Sequence, residues 1–239
     1  MEIQPPSGSG SYFYNYKGTH SIVLMAIVNA NYEFIYIDVG ANGRVSDGGV
    51  WGNCTISKCL ERNMAGLPGP ATLKNSTKCL QYVFVADDAF PLKEYLMKPF
   101  PFRNQSDQQR IFSYRLSRAR RIVENAFGIM GSRFRVLSTK IALVPGKAEK
   151  VVLACATLHN VLRKLAQEEY QESSSMDKEN VRNGNIQPGS WRNETTMMPL
   201  ERSTGRNPSN HCKRIRDEFC NYFNNEGQVP WQRRMAGLE

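Results

Sequence analysis

The chain has 239 residues, of which 41% are hydrophobic and 10% aromatic, and this content is enough for a folded core. The formal net charge of +9 favours a polyanionic partner. No apolar stretch approaches the roughly 18 residues of a membrane span, and the opening MEIQPPSGSG has neither a basic start nor an apolar run. We therefore expect a soluble intracellular protein whose six cysteines are reduced.

The first predicted element is a β-hairpin. HSIVLMAIVNANYEFIYIDVG contains two β-branched apolar runs, residues 20–28 and 33–39, which are joined by the turn-forming NANY. The glycine-rich loop GANGRVSDGGVWGN follows, and Ser46 or Asp47 in this loop can cap a short helix.

Two short elements are predicted next. QYVFVAD is typical of a short apolar strand that ends at Asp87 and Asp88. PLKEYLMKPF predicts a helix, because a proline suits the first helical position and Pro99 and Pro101 would end it.

Long helices are predicted for residues 107–132 and 145–170. The first carries apolar side chains at alternating steps of four and three, which indicates one face turned to a core. These side chains are Phe112, Leu116, Ala119, Val123, Ala126 and Met130.

The composition changes after residue 170. The polar, aperiodic residues 171–210 predict a disordered linker, because they cannot bury enough apolar area to offset chain entropy. HCKRIRDEFCNYFNNEG then predicts a short helix with Ile215, Phe219, Tyr222 and Phe223. The predicted organisation is thus a domain over 1–170, a linker over 171–210 and a helical tail over 211–239.

Positive charge is concentrated between Lys93 and Lys140, with eleven Lys or Arg residues against three acids. Such a surface can bind a nucleic-acid backbone through contacts that release counterions. The candidate residues are Arg115, Arg118, Arg120, Arg121, Arg133 and Arg135. The alternative is an ordinary solvated face without a ligand.

Two acids in this pattern suit metal chemistry. Asp87 follows a predicted strand and Glu124 lies on the arginine-rich helix. Carboxylates from separate elements are typical ligands for the Mg²⁺ or Mn²⁺ of phosphoryl-transfer sites. Alternatively, Asp87 is a turn residue and Glu124 pairs with Arg120 or Arg121, although an acid C-terminal to its base is the less favourable order on a helix.

Four blocks of sequence carry a resemblance to a known family. They are NYKGTHSIVLMAIVNANYEFIYIDVGANGRVSDGGVW, FVADDAFPL, YRLSRARRIVENAFGIMGSRFRVL and ACATLHNVLRK, and they occur in this order between about residues 3 and 165. Together they resemble the transposases of PIF/Harbinger elements and the Harbinger-derived nucleases, which contain a DDE superfamily endonuclease domain.

The resemblance implies an α/β fold with an RNase H-like mixed sheet flanked by helices, and a metal-dependent DNA endonuclease or transposase-derived activity. It places the family's second aspartate at Asp87 and its glutamate at Glu124, both as catalytic residues and as Mg²⁺ or Mn²⁺ ligands. Asp47 matches a further recurrent acid that either assists or caps. His159 matches the family too, and we expect it to be a packing residue.

The resemblance also implies DNA as substrate, a Myb-like DNA-binding companion protein and a nuclear location, with the cytoplasm also open. The family's first aspartate, on the central first strand of the sheet, has no counterpart in the chain. We therefore expect a partial domain with impaired activity, which would fit a truncated gene model, a splice form or a decayed transposon copy. The alternative is a non-catalytic, domesticated module that binds nucleic acid or protein.

Overall fold

The predicted hairpin is present in the computed structural model of the chain. Strand β1 (Ile22–Val28) pairs antiparallel with β2 (Phe34–Asn42). Asn29 shapes the turn between them, because its Oδ1 accepts hydrogen bonds from the backbone N–H groups of Asn31 and Glu33 at 2.9 and 3.0 Å. The hairpin prediction is therefore confirmed.

The structure describes residues 1–170, 176–194 and 207–239, and they fall into two units. The first unit contains Met1–Val50, Arg121–Glu179 and residues 186–194. The second contains Trp51–Arg120, Asn180–Asn185 and residues 207–239. Each unit has a cluster of buried apolar side chains of its own.

The core of the first unit combines the hairpin with helix α4 (Pro145–Leu165) and the second half of α3 (Asp107–Arg133). On α4 the buried residues recur at steps of three and four, as expected for a helix with one face in a core. They are Ala148, Val152, Cys155, Ala156, His159 and Arg163. The second predicted long helix is thus confirmed as α4, and a short separate turn, α5 (Gln167–Tyr170), follows it.

The first predicted long helix is confirmed as α3. Its apolar stripe serves two cores, since Phe112 and Leu116 lie in the core of the second unit, whereas Ala126 and Met130 lie in that of the first. Ala119, in the middle of the predicted stripe, is exposed. The stripe therefore identified the buried positions at both ends of the helix but not in its middle.

The second unit contains several short elements besides the first half of α3. They are α2 (Thr55–Glu61), β3 (Ala71–Thr72), β4 (Cys79–Leu80), β5 (Phe84–Val85), β6 (Leu96–Met97), α7 (Asn210–Asn224) and α8 (Gln232–Met235). Helix α1 (Asp47–Asn53) precedes them.

The helix predicted for PLKEYLMKPF is wrong. Lys93 and Leu96 instead close a tight turn through reciprocal backbone hydrogen bonds of 3.0 and 3.2 Å, and β6 then pairs in parallel with β5. Pro99 disfavours a helical conformation in the residue before it, and pairing with β5 satisfies backbone groups of a segment whose Leu96 and Met97 are buried.

The predicted C-terminal helix is confirmed as α7. The Ser209 hydroxyl caps it by accepting a hydrogen bond from the Cys212 N–H at 3.2 Å. Ile215, Phe219 and Tyr222 are buried, as the apolar spacing predicted.

Residues 176–194 differ from the predicted disordered linker. They contain an antiparallel pair, β7 (Lys178–Glu179) with β8 (Ile186–Gln187), and the helical turn α6 (Trp191–Glu194). Polar contacts hold this segment rather than an apolar stripe, which is why its composition did not reveal it. The remaining parts of the predicted linker, 171–175 and 195–206, lie outside the described residues, and the three-part division of the chain stays a prediction.

The structure confirms a mixed α/β fold. Among the described residues the strands form four two-stranded sheets, β1–β2, β3–β4, β5–β6 and β7–β8. The larger RNase H-like sheet is not confirmed and stays a prediction. None of the helices in the described ranges combines the length and apolarity that a membrane crossing requires.

All six cysteines are free thiols. Cys155 is buried in the core of the first unit, and Cys212 and Cys220 are buried in that of the second. Cys79 is exposed.

Candidate functional site

Asp87 follows β5 by two residues in the second unit. One carboxylate oxygen accepts a hydrogen bond from the Ala89 N–H at 3.0 Å, and the other lies 3.5 Å from the Arg120 guanidinium. The side chain keeps 33% of its surface exposed. Asp87 is therefore both a turn residue and a half-exposed carboxylate with a cation beside it.

Asp47 is the first residue of α1, and its neighbour Ser46 takes the capping position. The Ser46 Oγ accepts from the Gly49 N–H at 3.4 Å, while its carbonyl accepts from the Val50 N–H at 2.9 Å. Of the two capping candidates, the structure therefore assigns Ser46. An acid in the first helical turn is favourable beside the exposed N–H groups of the helix.

Glu124 lies on α3 in the first unit. Its carboxylate is 3.5 Å from Arg192 and retains 34% of its side-chain surface. Arg192 also binds the carboxylate of Asp177, whose side chain is 1% exposed. The sequence offered Arg120 or Arg121 as an alternative, local partner for Glu124; Arg192, which lies in the segment expected to be a linker, is a partner that the sequence did not suggest.

Asp177 is stabilised in its charged form. Burial alone would raise the pKa of this carboxyl, but hydrogen bonds from Arg192 and the Gly189 N–H outweigh burial, so its pKa is lowered. Asn125, the neighbour of Glu124 on α3, completes the arrangement. Its amide donates to the Asp177 carbonyl at 3.2 Å and accepts from the Asp177 N–H at 3.1 Å.

Most of the arginines predicted to bind nucleic acid have partners within the protein. In the second unit, Arg115 donates to the Gly227 carbonyl at 2.8 Å and stacks on the Phe223 ring at 4.6 Å. Arg118 lies over the Trp231 ring at 5.8 Å. These contacts order both side chains and tie them to the C-terminal residues.

The remaining candidate arginines lie in the first unit, apart from Arg120 beside Asp87. Arg121 pairs with Glu179 at 3.2 Å. Arg133 donates to the carbonyls of Glu169 and Tyr170 at 2.9 and 3.1 Å. Arg135 is exposed on the 3-10 turn that follows α3.

His159 is a packing residue in the structure, as expected. It is fully buried, and both ring nitrogens have partners at 2.8 Å. A carbonyl can only accept, so Nε2 donates to the Tyr32 carbonyl and Nδ1 accepts from the Tyr170 hydroxyl. Burial lowers the pKa of His159 and keeps the ring neutral.

The two predicted acids belong to different units. Their carboxylate oxygens are the hard donors that Mg²⁺ and Mn²⁺ prefer, and both are partly accessible. Within the described ranges, no three or more His, Cys, Asp or Glu side chains are gathered so that they could hold a metal. The donor chemistry thus fits a divalent cation, while Arg120 and Arg192 currently lie beside these oxygens.

Sequence reasoning missed the residues around Glu124. Asp177, Trp191 and Arg192 lie in a polar stretch without periodicity, and neither charge nor spacing distinguishes them there. The Asp177–Arg192 pairing is separated by 15 residues, and Asp177 meets Asn125 across 52.

Comparison with known proteins identifies several relatives that have similar sequence identity to this chain. "Protein ALP1-like" from Arabidopsis thaliana is 24% identical over 163 residues, which is 68% of this chain and 40% of the relative. "Putative nuclease HARBI1" is 24% identical in Homo sapiens over 198 residues and 23% identical in Xenopus laevis over 164. These matches cover 75% and 67% of this chain, and 52% and 43% of the relatives.

The chain thus spans about half the length of the curated relatives it matches. No solved structure matches it. The family model described as "DDE superfamily endonuclease" matches residues 1–160, which include Asp47, Asp87 and Glu124. Because this match covers more than half of the chain, the protein belongs to the DDE superfamily endonucleases, and the resemblance found in the sequence is confirmed.

Proposed function

We propose that the chain is the nuclease domain of a transposase-derived protein and that it cleaves phosphodiester bonds in DNA. The family match over residues 1–160 carries this proposal, because it includes both acids of the predicted site. DDE superfamily endonucleases generally use divalent metals. We assign Asp87 and Glu124 as catalytic metal ligands for Mg²⁺ or Mn²⁺, with Asp47 as an auxiliary acid.

The roles follow from carboxylate chemistry. When bound at these oxygens, a divalent cation supplies charge that polarises the scissile phosphate and activates the attacking water. Asp87 is anchored by its hydrogen bond from Ala89, so one of its oxygens has a fixed direction. Glu124 is carried on a long helix, which limits the movement of its backbone.

The finer features of the family belong to the same proposal. They are the RNase H-like arrangement of the sheet and a location in the nucleus. The Myb-like companion remains a prediction from the resemblance, and the matched proteins give it no support. For DNA contacts, Arg135 is a stronger candidate than Arg115 or Arg118, because these two are held by contacts within the second unit.

One observation favours the second candidate function, a non-catalytic nucleic-acid- or protein-binding module. Each of the two acids lies 3.5 Å from a guanidinium group, Asp87 from Arg120 and Glu124 from Arg192. A carboxylate that serves only as an ion-pair partner needs no metal.

Mn²⁺ binding followed by calorimetry tests the first function against the second. Asp87→Asn and Glu124→Gln preserve side-chain shape, and asparagine retains the oxygen that accepts from Ala89. We expect each change to weaken Mn²⁺ binding at least tenfold, because a charged ligand becomes a neutral one, and to abolish Mn²⁺-dependent nicking of plasmid DNA.

Asp88→Asn is the matched control, because it removes the same charge at the position next to Asp87. The hydrogen bond from the Lys98 ammonium to the Asp88 backbone carbonyl, at 2.9 Å, does not depend on the side chain that is changed. This variant should bind Mn²⁺ like the wild type. Equal Mn²⁺ binding by the wild type and both site variants would refute the proposed nuclease. Salt-dependent DNA binding without Mn²⁺ binding would instead support the module.

A further inference from the structure

One stretch of chain lies against α3 beside Glu124. We define the strap as residues 176–179 and 186–194, which form β7, β8 and α6 in the first unit. Its N-terminal part is fixed to α3 by Asn125, which exchanges two hydrogen bonds with the backbone of Asp177. Asn125 is 2% exposed, so this contact is shielded from water.

The C-terminal part of the strap is fixed by an aromatic side chain. Trp191 packs on Gly128 so closely that a Cβ at that position would lie 2.4 Å from its ring. The Trp191 Nε1–H also donates to the Asn125 Oδ1 at 3.1 Å. A glycine one helical turn after Glu124 therefore provides the space in which the strap is seated.

Charge completes the attachment. Arg192 stacks on the Trp191 ring at 4.6 Å, binds the buried Asp177 carboxylate and reaches Glu124 at 3.5 Å. The Gly189 N–H donates to the same Asp177 carboxylate at 2.9 Å, which fixes the anchor of Arg192. The guanidinium is thus held beside Glu124 by groups within the strap itself.

We propose that the strap is an autoinhibitory element whose Arg192 competes with the divalent cation for the Glu124 carboxylate. This inference rests on the proposed nuclease function, in which Glu124 is a metal ligand. The positive charge of Arg192, 3.5 Å from the Glu124 carboxylate, opposes the approach of a second cation, so metal binding at Glu124 is favoured when Arg192 withdraws. The docked strap then lowers the affinity of the site for metal.

The pair between Arg192 and Glu124 is partly exposed, so its loss has a modest effect. We expect Arg192→Gln to raise the Mn²⁺ affinity of the intact chain by about two- to fivefold, the range for a half-exposed ion pair. Arg182→Gln, at an exposed arginine between β7 and β8, is the matched control and should leave the affinity unchanged.

Removing Arg192 alone also leaves Asp177 without its cation, and Asp177 could then bind Mn²⁺ itself. The double variant Asp177→Asn with Arg192→Gln removes both charges and keeps the net charge constant. It should retain the gain in Mn²⁺ affinity. A gain that disappears in this double variant would overturn the proposal, because it would come from Asp177.

The Glu124→Gln background separates this inference from the function on which it rests. If Glu124 is a ligand and Arg192 its competitor, Glu124→Gln weakens Mn²⁺ binding and Arg192→Gln has no further effect in that background. If Glu124→Gln weakens binding but Arg192→Gln never strengthens it, the strap proposal fails alone. If Glu124→Gln has no effect on Mn²⁺ binding, the proposed function fails, and the strap proposal with it.

A second readout follows the strap directly. Mn²⁺ should increase hydrogen exchange of the strap amides, such as the Asp177 and Gly189 N–H groups, in the wild type and not in Glu124→Gln. Unchanged protection of these amides at saturating Mn²⁺ would contradict displacement of the strap.

Discussion

The imidazole of His159 joins two parts of the first unit through its two ring nitrogens, one toward Tyr32 and the other toward Tyr170. Burial lowers its pKa, so the unfolded chain takes up a proton at a higher pH than the folded one does. Stability then rises with pH in this range. The contribution of His159 is fully present above its ordinary pKa and is lost as the pH falls below it.

We expect the free energy of unfolding to drop by up to about 1.4 kcal/mol between pH 7.5 and 5.5 because of this one group. Urea unfolding at both pH values measures the change. His159→Gln lowers stability at either pH but removes the titration, so its loss on acidification should be smaller than that of the wild type. An identical pH dependence in both proteins would exclude His159 as the cause.

Glu124 has an ion-pair partner, Arg192, that is distant from it in the sequence. The sequence suggested Arg120 and Arg121 for Glu124, since they lie one helical turn away. The structure pairs Arg121 with Glu179 and brings Arg192 to Glu124 from 68 positions further along the chain. No helical spacing rule can identify a partner at that distance.

Among the secondary-structure elements, the junction of α4 with β2 depends on one amide side chain. Asn160 accepts from the Phe34 N–H at 2.9 Å and donates to the Phe34 carbonyl at 2.8 Å. It therefore satisfies both backbone groups at the start of the strand. Asn160→Ala should lower the free energy of unfolding by about 2 kcal/mol, because two hydrogen bonds are lost at a partly buried position.

Thermal or urea unfolding measures this loss, and Thr157→Ala is the control on the same helix. The Thr157 hydroxyl is exposed and donates a hydrogen bond to the Leu153 carbonyl of its own helix at 2.9 Å. Its removal should change stability by no more than about 0.5 kcal/mol. Equal effects of the two substitutions would show that Asn160 does not hold the strand.

Elements with a strong period were predictable. The hairpin β1–β2 and the helices α3, α4 and α7 appear where alternation, or apolar spacing of three and four, indicated them. Strand β6 was missed, since two residues cannot establish a period. Its conformation is decided by the prolines that follow it and by pairing with β5. The pairing is a tertiary contact, which the sequence pattern does not reveal.

At the scale of the whole molecule, the positive net charge did not show which arginines are free to bind a nucleic acid. The chain carries +9, yet five of the six arginines assigned to nucleic acid contact carboxylates, carbonyls or aromatic rings of the protein. Arginine suits such contacts because its planar group can donate and stack at once. Excess charge in a sequence therefore indicates a partner only after internal pairing is known.

The candidate site was predictable to the extent that the family resemblance named it. Asp87 and Glu124 were identified by motif matches. Their alternative roles, as a turn residue and an ion-pair partner, were suggested because most acids in such positions have these roles. The strap was not predictable, because it is held by Asp177, Trp191 and Arg192 through contacts with no local sequence signal. Folding brings these side chains to α3 from a stretch whose composition is typical of disorder.

Each unit contains at least one buried cysteine, whose rate of modification reports how often its core opens. Cys155 is enclosed in one core and Cys212 and Cys220 in the other, while Cys79 is exposed. A thiol reagent should modify Cys79 at once and the enclosed thiols only when their own core opens. Mass spectrometry of each cysteine over time would reveal whether the two cores open together or independently, without any introduced label.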